Sequence, residues 1–216
     1  ARGGSLNDLV VAAVMRATAS WNRAAGRRAG NVRITMPVSL RLPGHRQPAC
    51  NDLGYAFLDR SPADCAAVEQ LTESVAASTR WVLENQAARM FLDAIAALGR
   101  WPGLLWLATR LPVCFSTAVV SNVGDPTRRM RCGAEIVDGR LRPGDVVIER
   151  CFGVPPSRPR TRVSIGAMTY AGQLTLCCLC TAHRRPHEGA SLFLNHLREA
   201  LAETAGTGPC AVASTG

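Results

Sequence analysis

The chain has 216 residues, of which 47% are hydrophobic, so it can bury a core as one domain or a large subdomain. Its formal net charge of +9 arises from 25 arginines without a lysine. The arginines are scattered and aromatic residues make up only 5%, so a nucleic-acid partner is not expected. The longest apolar run, residues 101–111, contains Arg110 and is too short to cross a bilayer.

Nine cysteines, an odd number, are spread from Cys50 to Cys210 without the spacing of a small disulfide framework. Such a pattern predicts free cysteines that pack as small hydrophobes in a reducing compartment, which favours the cytoplasm. Because the first residue is Ala1 rather than methionine, we expect the segment to belong to a longer chain.

An amphipathic helix is predicted over residues 5–24, with apolar residues at helical spacing. Ser5 at the N-cap and Asp8 three residues later predict a capping box, which satisfies free amides of the first turn. A strand is predicted over residues 32–40, where Pro37 removes one hydrogen-bond donor and favours an edge position or a bulge.

A loop over residues 42–51 and a second strand over residues 52–59 are predicted next. Ser61 followed by Pro62 predicts the start of a long helix, because serine is a good N-cap and proline fits the first turn. That helix is expected to continue weakly to residue 98, with a break near Asn85. A short apolar helix is predicted over residues 104–111.

A buried strand and a polar turn are predicted over residues 116–126, S-T-A-V-V-S-N-V-G-D-P. A final helix over residues 188–203 and a disordered tail over residues 204–216 are also predicted. Further strands are predicted over residues 136–137, 146–154, 162–170 and 173–180, the last two joined in a hairpin. These elements predict an α/β two-layer sandwich with a mixed β-sheet and helices mainly on one face.

Five motifs in a fixed order are similar to the C-terminal half of condensation-type acyltransferases. They are N-D-L-V-V-A-A-V from Asn7, R-I-T-M-P-V-S-L-R to Arg41, N-D-L-G from Asn51, S-N-V-G-D-P from Ser121 and T-Y-A-G-Q-L around Tyr170. The pattern most resembles the branch of wax ester synthases and diacylglycerol acyltransferases, with peptide-synthetase condensation domains as relatives. It covers about residues 5–203, nearly the whole chain.

The resemblance implies one of two chloramphenicol-acetyltransferase-like lobes, with a tunnel between the lobes. The family's catalytic signature, H-H-x-x-x-D-G, lies in the other lobe and does not occur in this sequence, whose histidines are His45, His183, His187 and His196. A histidine outside these residues would therefore act as general base, and donors would stabilise the oxyanion. The implied partner is an N-terminal, histidine-bearing lobe on the same or another chain.

The resemblance implies that Ser121, Asn122 and the amide of Gly124 face the tunnel as candidate oxyanion donors. The family's S-N-x-P-G-P turn is S-N-V-G-D-P here, so the loop geometry departs from the family pattern. A second group of residues matches the motifs at the lobe interface or in structural positions. Its members are Asn7, Asp8, Ser39, Arg41, Asn51, Gly54, Tyr170 and Gly172.

Several of these residues have simpler structural explanations. Asn7 and Asp8 fit a helix start near the positive end of the dipole. The motif match implies that Arg41 lies at the lobe interface and pairs with an acid of the missing lobe, whereas the simpler explanation is an exposed arginine that ends an edge strand. Gly172 fits a hairpin turn that requires positive φ, with Tyr170 beside it.

The spacing C-x-x-C-x-x-H-x-x-x-H from Cys177 invites a zinc site. Cys177 and Cys180 lie three apart on a strand and therefore point to opposite faces, so no metal is expected. His183 is expected in the loop after that strand.

The function that follows is acyl transfer from a coenzyme A or carrier-protein thioester to an alcohol or amine, with no tightly bound cofactor. Two alternatives remain: a degenerate, non-catalytic lobe for interaction or carrier docking, and an anion or nucleic-acid binder that uses the arginine clusters. A peripheral contact with membrane or lipid and the formation of a homodimer also stay open. An isolated lobe would expose the apolar face that the other lobe covers.

Overall fold

A computed structural model describes residues 4–26, 30–41, 52–110, 116–128, 134–156, 161–180 and 186–206. The described helices are α1 (Leu6–Ala24), α2 (Val68–Glu84), α3 (Ala87–Gly99), α4 (Leu104–Arg110) and α5 (Pro186–Ala205). The described strands are β1 (Val32–Ser39), β2 (Leu53–Arg60), β3 (Ala118–Gly124), β4 (Glu135–Val137), β5 (Arg140–Arg142), β6 (Val163–Tyr170) and β7 (Gln173–Cys180).

Five strands form a mixed sheet in the order β2-β1-β3-β6-β7, and β4 and β5 form a separate hairpin. β1, β3 and β6 run parallel, and each edge strand is antiparallel to its neighbour. Helices α1, α2 and α5 pack against one another, and together with one face of the sheet they enclose the core. The predicted α/β class, with a mixed sheet and helices mainly on one face, is confirmed.

Helix α1 lies at the centre of this core. Ten of its residues are buried, namely Asp8 and nine in an almost unbroken run from Val10 to Ala19, so the helix is covered on nearly all sides. The predicted capping box is confirmed: the Asp8 backbone N–H donates to Ser5 Oγ, and Asp8 Oδ2 accepts from the Ser5 backbone N–H at 2.8 Å.

Arginine side chains connect the helices to the rest of the fold. Arg16 of α1 donates to the carbonyl of Ala66 at 2.8 Å and forms an ion pair with Glu203 of α5. Arg60 at the end of β2 donates to the Ser74 carbonyl and to Ser78 Oγ of α2, both at 2.8 Å. These bonds fix the two flanking helices against α1 and the sheet.

Two predictions for the chain's first half need correction. Ser61 does not cap the long helix: it bonds Asp64 and starts a short 3₁₀ helix, Asp64–Ala66, after which α2 begins at Val68. β1 is an inner strand rather than an edge strand. Pro37 is tolerated because β1 pairs with β3 at Ile34 and Thr35, ahead of the proline, so its missing N–H removes no bond from this pairing.

The predicted break near Asn85 is confirmed, since α2 ends there and Gln86 adopts a φ of 50° before α3. The predicted strand over residues 146–154 is wrong. These residues form an irregular segment with mostly exposed side chains, joined to β5 by the bond from the Ile148 N–H to the Leu141 carbonyl. Helix α5 continues two residues into the predicted tail, where Thr204 is buried, and residues 207–216 lie outside the described ranges.

The cysteines of the described ranges are free thiols, namely Cys65, Cys151, Cys177, Cys178 and Cys180. Burial raises the pKa of Cys65 to about 11, so its thiol stays protonated and serves packing. Cys178 and Cys180 lie on one face of β7 with their sulfurs 3.4 Å apart, and Cys177 points to the other face, as the strand alternation predicted.

Gly54 on β2 lies where helix α3 approaches the sheet edge. A Cβ on Gly54 would lie 2.3 Å from the backbone oxygen of Ala88, closer than any real contact. Replacing Gly54 by alanine must displace α3, and we expect the free energy of unfolding to fall by about 1–3 kcal/mol. Urea denaturation measures the change. The control is Gly99→Ala in the same helix, where a Cβ meets nothing within 4 Å. Equal stabilities of the two variants would contradict this role for Gly54.

Candidate functional site

The motif residues converge at the carboxyl ends of the parallel strands β1, β3 and β6, which form what we call the carboxyl edge of the sheet. Ligand sites of open α/β sheets commonly lie outside the carboxyl ends of parallel strands. Ser39 is the last residue of β1, and Arg41 lies two residues beyond it. Asn122 and Gly124 lie at the end of β3, and Tyr170 is the last residue of β6. The antiparallel strand β2 begins at the same edge with Gly54, and the preceding Asn51 lies outside the described residues.

Asn7 and Asn122, which are 115 residues apart, meet at this edge. Asn122 Nδ2 donates to Asn7 Oδ1 at 3.4 Å, and Asn7 Nδ2 donates to Met36 Sδ at 3.2 Å. We call Asn7, Asn122 and Gly124 the asparagine cluster. The Asn-Asp and Ser-Asn motifs were each visible in the sequence, but their contact was not, and Met36 was missed.

Asp8 points elsewhere than Asn7. Its carboxylate is buried, and Oδ2 accepts from the Ser5 N–H and from Ser5 Oγ at 2.7 Å. Asp8 therefore caps the start of α1, as the structural explanation from the sequence predicted. By fixing the first turn of α1, Asp8 also fixes the position of the neighbouring Asn7.

The turn after β3 determines which groups of the asparagine cluster face outward. The Gly124 N–H donates to Asn122 Oδ1 at 2.9 Å, and Gly124 has a φ of 73° at a register shift in the ladder with β6. This bond makes Oδ1 the acceptor, so the donor end of the Asn122 amide, Nδ2, points toward Asn7. It also occupies the Gly124 amide, which is therefore not offered to a ligand in this conformation.

Ser121 does not join the asparagine cluster. Ser121 pairs with Gly166 of β6 and Asn122 with Ala167, so the two side chains leave the strand on opposite faces. Ser121 is half-buried, whereas Asn122 is exposed. Of the three expected oxyanion donors, the Asn122 side chain is the exposed one that keeps a donor hydrogen, because Asn7 Oδ1 takes only one of the two hydrogens on Nδ2.

The other motif residues at this edge hold the backbone. Ala171 and Gly172 have φ values of 48° and 76°, as a tight hairpin turn between β6 and β7 requires. The hairpin prediction is confirmed. Buried Tyr170 accepts from the Leu141 N–H at 2.8 Å and donates to the Ile148 carbonyl at 2.6 Å. Ser39 and Arg41 are exposed at the end of β1.

One histidine side chain belongs to the part of the chain with described side chains. His196 lies on α5, with its Nδ1 3.5 Å from Glu199 Oε2. His45 and His183 lie outside the described residues, and for His187 only the helical backbone is described. Within the described ranges, no helix is long and apolar enough to span a membrane, and no group of side chains is arranged to hold a metal ion.

Comparison with known proteins gives a likeness in structure without a match in sequence. No family model matches the chain, and no curated protein matches it. The chain is similar to the epimerization domain from the third module of tyrocidine synthetase B, with a TM-score of 0.57 and 12% identity over 94% of this chain and 42% of that chain. The chain is also similar to the condensation domain that mediates chain release from the enacyloxin polyketide synthase. The TM-score is 0.47 and the identity is 14%, over 98% of this chain and 38% of that chain, and this likeness is too weak to support a conclusion.

The fold is therefore that of condensation-type domains, and the predicted chloramphenicol-acetyltransferase-like lobe is confirmed as a fold. The chain spans less than half the length of either structure. At 12% identity the likeness concerns the fold alone, and it does not distinguish the wax ester synthase branch from others.

Tyr170→Phe tests the structural role of this tyrosine. The change removes one hydroxyl and leaves the Leu141 N–H and the Ile148 carbonyl without their partner. We expect a loss of about 1–3 kcal/mol in the free energy of unfolding. Urea denaturation gives the loss, and faster amide exchange of Leu141 localises it. An unchanged Leu141 exchange rate would show that this bond does not hold the 140–148 segment.

Asp125, next to the asparagine cluster, has a lowered pKa because Thr127 Oγ1 donates to its carboxylate at 2.6 Å. A lowered folded-state pKa contributes stability above the unfolded-state pKa, and this stability is lost as the pH falls through the folded-state pKa. We expect Thr127→Val to raise the midpoint of Asp125 in a carboxyl NMR titration. The stability advantage of the wild type over Thr127→Val should then be present at neutral pH and vanish in acid. Identical midpoints would refute the assigned cause.

Proposed function

We propose that this chain is one lobe of a condensation-type acyltransferase whose catalytic histidine lies on another lobe. The likeness in fold to the epimerization domain supports this, as does the match of the chain to only 42% of that domain. The sequence contains no H-H-x-x-x-D-G signature, so the general base is assigned to a partner lobe, on the same chain or another.

The observation that carries the proposal is the asparagine cluster. Two motifs far apart in the sequence place side-chain amides together at the sheet edge where α/β proteins commonly bind ligands. Structural needs alone explain Asp8, Gly54 and Tyr170, whereas the exposed Asn122 amide keeps one Nδ2 hydrogen beyond the one that it donates to Asn7. A fixed amide donor is the type of group that stabilises a developing oxyanion.

The reaction is acyl transfer from a thioester of coenzyme A or a carrier protein to an alcohol or amine. The acceptor oxygen or nitrogen attacks the thioester carbonyl while the partner lobe's histidine takes its proton. The carbonyl oxygen becomes an oxyanion, which accepts a hydrogen bond from Asn122 Nδ2. When the carbonyl re-forms, the C–S bond breaks and the thiol leaves with the proton. The motifs most resemble the wax ester synthase branch, and the acceptor stays open between an alcohol and an amine.

A non-catalytic lobe for carrier docking is the second candidate, and one observation favours it. The Gly124 N–H is already bonded to Asn122, and Ser121 faces the other side of the sheet. The lobe then offers one donor where three were expected. A catalytic lobe with one oxyanion donor depends on further donors from its partner lobe, whereas a lobe that only docks a carrier protein needs no oxyanion donor.

Asn122→Asp in the complete protein separates the two roles of this residue. Aspartate keeps the oxygen that accepts from the Gly124 N–H but lacks the Nδ2 donor. We expect kcat for transfer from an acyl thioester to fall about 10²–10³-fold, the usual effect of losing one oxyanion donor. Asn122→Ala should lower kcat similarly and also destabilise the turn. Asn85→Ala, an exposed asparagine at the end of α2, is the matched control.

Thermal unfolding is measured for each variant beside kcat. If kcat falls with alanine but not with aspartate, Asn122 serves only the turn and is not an oxyanion donor. If the wild-type protein, with both lobes present, transfers no acyl group yet retains a carrier protein, the docking module is the correct function.

A further inference from the structure

Large apolar side chains are exposed on α3, on α4 and on the turn between the two helices. We call this set the α3–α4 surface, and its members are Met90, Trp101, Leu104, Leu105, Trp106 and Leu107. Trp101 is 69% exposed and Trp106 58% exposed. Of the chain's four tryptophans, Trp21 alone packs into the protein, edge-on to Phe193, while Trp81 near the end of α2 is exposed like the other two. Exposed apolar groups that concentrate in this way mark an interaction surface.

The arrangement on α4 indicates what kind of environment covers it. Residues 104–107 are four consecutive exposed apolar residues. Successive helical residues are about 100° apart, so these four point around most of the helix circumference. A partner that covers all four residues must therefore fit around the exposed part of α4, as the fluid headgroup and acyl boundary of a membrane can.

The charges beside the α3–α4 surface are mostly positive. Arg89, Arg100 and Arg110 lie on or next to α3 and α4, against the single acid Asp93. The Arg110 guanidinium stacks over the Trp106 ring at 4.2 Å from its centroid. Tryptophan, leucine and arginine together are typical of helices that lie in the interface of a membrane and bind anionic headgroups.

We propose that the α3–α4 surface inserts into the headgroup region of an anionic lipid membrane. α4 has seven residues and α3 thirteen, so these helices lie on the membrane and do not span it. The tryptophans and leucines enter the acyl boundary, and the arginines contact the lipid phosphates. The proposal stands independently of acyl transfer, since it rests on residues outside the asparagine cluster.

Vesicle sedimentation of the full-length protein tests the proposal. The probes are vesicles of phosphatidylcholine alone and vesicles with one quarter phosphatidylglycerol. We expect the wild type to bind the anionic vesicles and Trp101→Ala/Trp106→Ala to bind about tenfold more weakly or worse. Each of Arg100→Gln and Arg110→Gln should cost about fivefold on anionic vesicles and little on neutral ones. Phe152→Ala is the control, because Phe152 is 71% exposed but outside this surface.

Two results would overturn the proposal. One is a wild type that does not sediment with anionic vesicles, or a double variant that sediments as well as the wild type. The other is self-association without vesicles that the double tryptophan variant abolishes, which would assign the α3–α4 surface to a second copy of the chain. Circular dichroism confirms that the variants are folded, and the unaltered sedimentation of Phe152→Ala shows that loss of binding is specific.

Discussion

The packing of α1 between the sheet and the helices α2 and α5 is the constraint on which the rest of the structure depends. Its buried run from Val10 to Ala19 leaves it little freedom to shift or rotate. The capping box of Ser5 and Asp8 then fixes where the helix begins. Because β3 also packs against α1, the first turn of the helix and the end of the strand have a defined distance, and Asn7 meets Asn122 there.

Elements with local signals could be predicted from the sequence. The capping box of α1 depends on residues three apart, and the β6–β7 hairpin depends on Ala171 and Gly172, which tolerate positive φ. The strand predicted at 146–154 failed for the opposite reason. Its apolar composition favoured a strand. The segment instead lies beside β5, held by isolated hydrogen bonds such as the one from the Ile148 N–H to the Leu141 carbonyl, and it pairs with no described strand.

The candidate site could be predicted only in part, because its geometry depends on register. The sequence identified Asn7, Ser121 and Asn122, but which of two adjacent strand residues faces α1 is set by the pairing of β3 with β6. The use of the Gly124 amide depends on a turn that differs from the family pattern at two residues, Gly124 and Asp125. The sequence motifs therefore identified the residues of the site but not the direction in which each side chain points.

In the proposed reaction, the bond that removes Gly124 as a donor also orients the Asn122 amide. A free asparagine amide rotates and must be ordered by its ligand, at a cost in entropy. Here the Gly124 N–H orients the amide before any ligand arrives, with Oδ1 inward and Nδ2 toward Asn7. Preorganised donors stabilise a developing charge without reorganisation during the reaction. In the proposed reaction the turn thus leaves one ordered donor, Asn122 Nδ2, and the lobe that supplies the histidine has to bring the carbonyl oxygen within its reach.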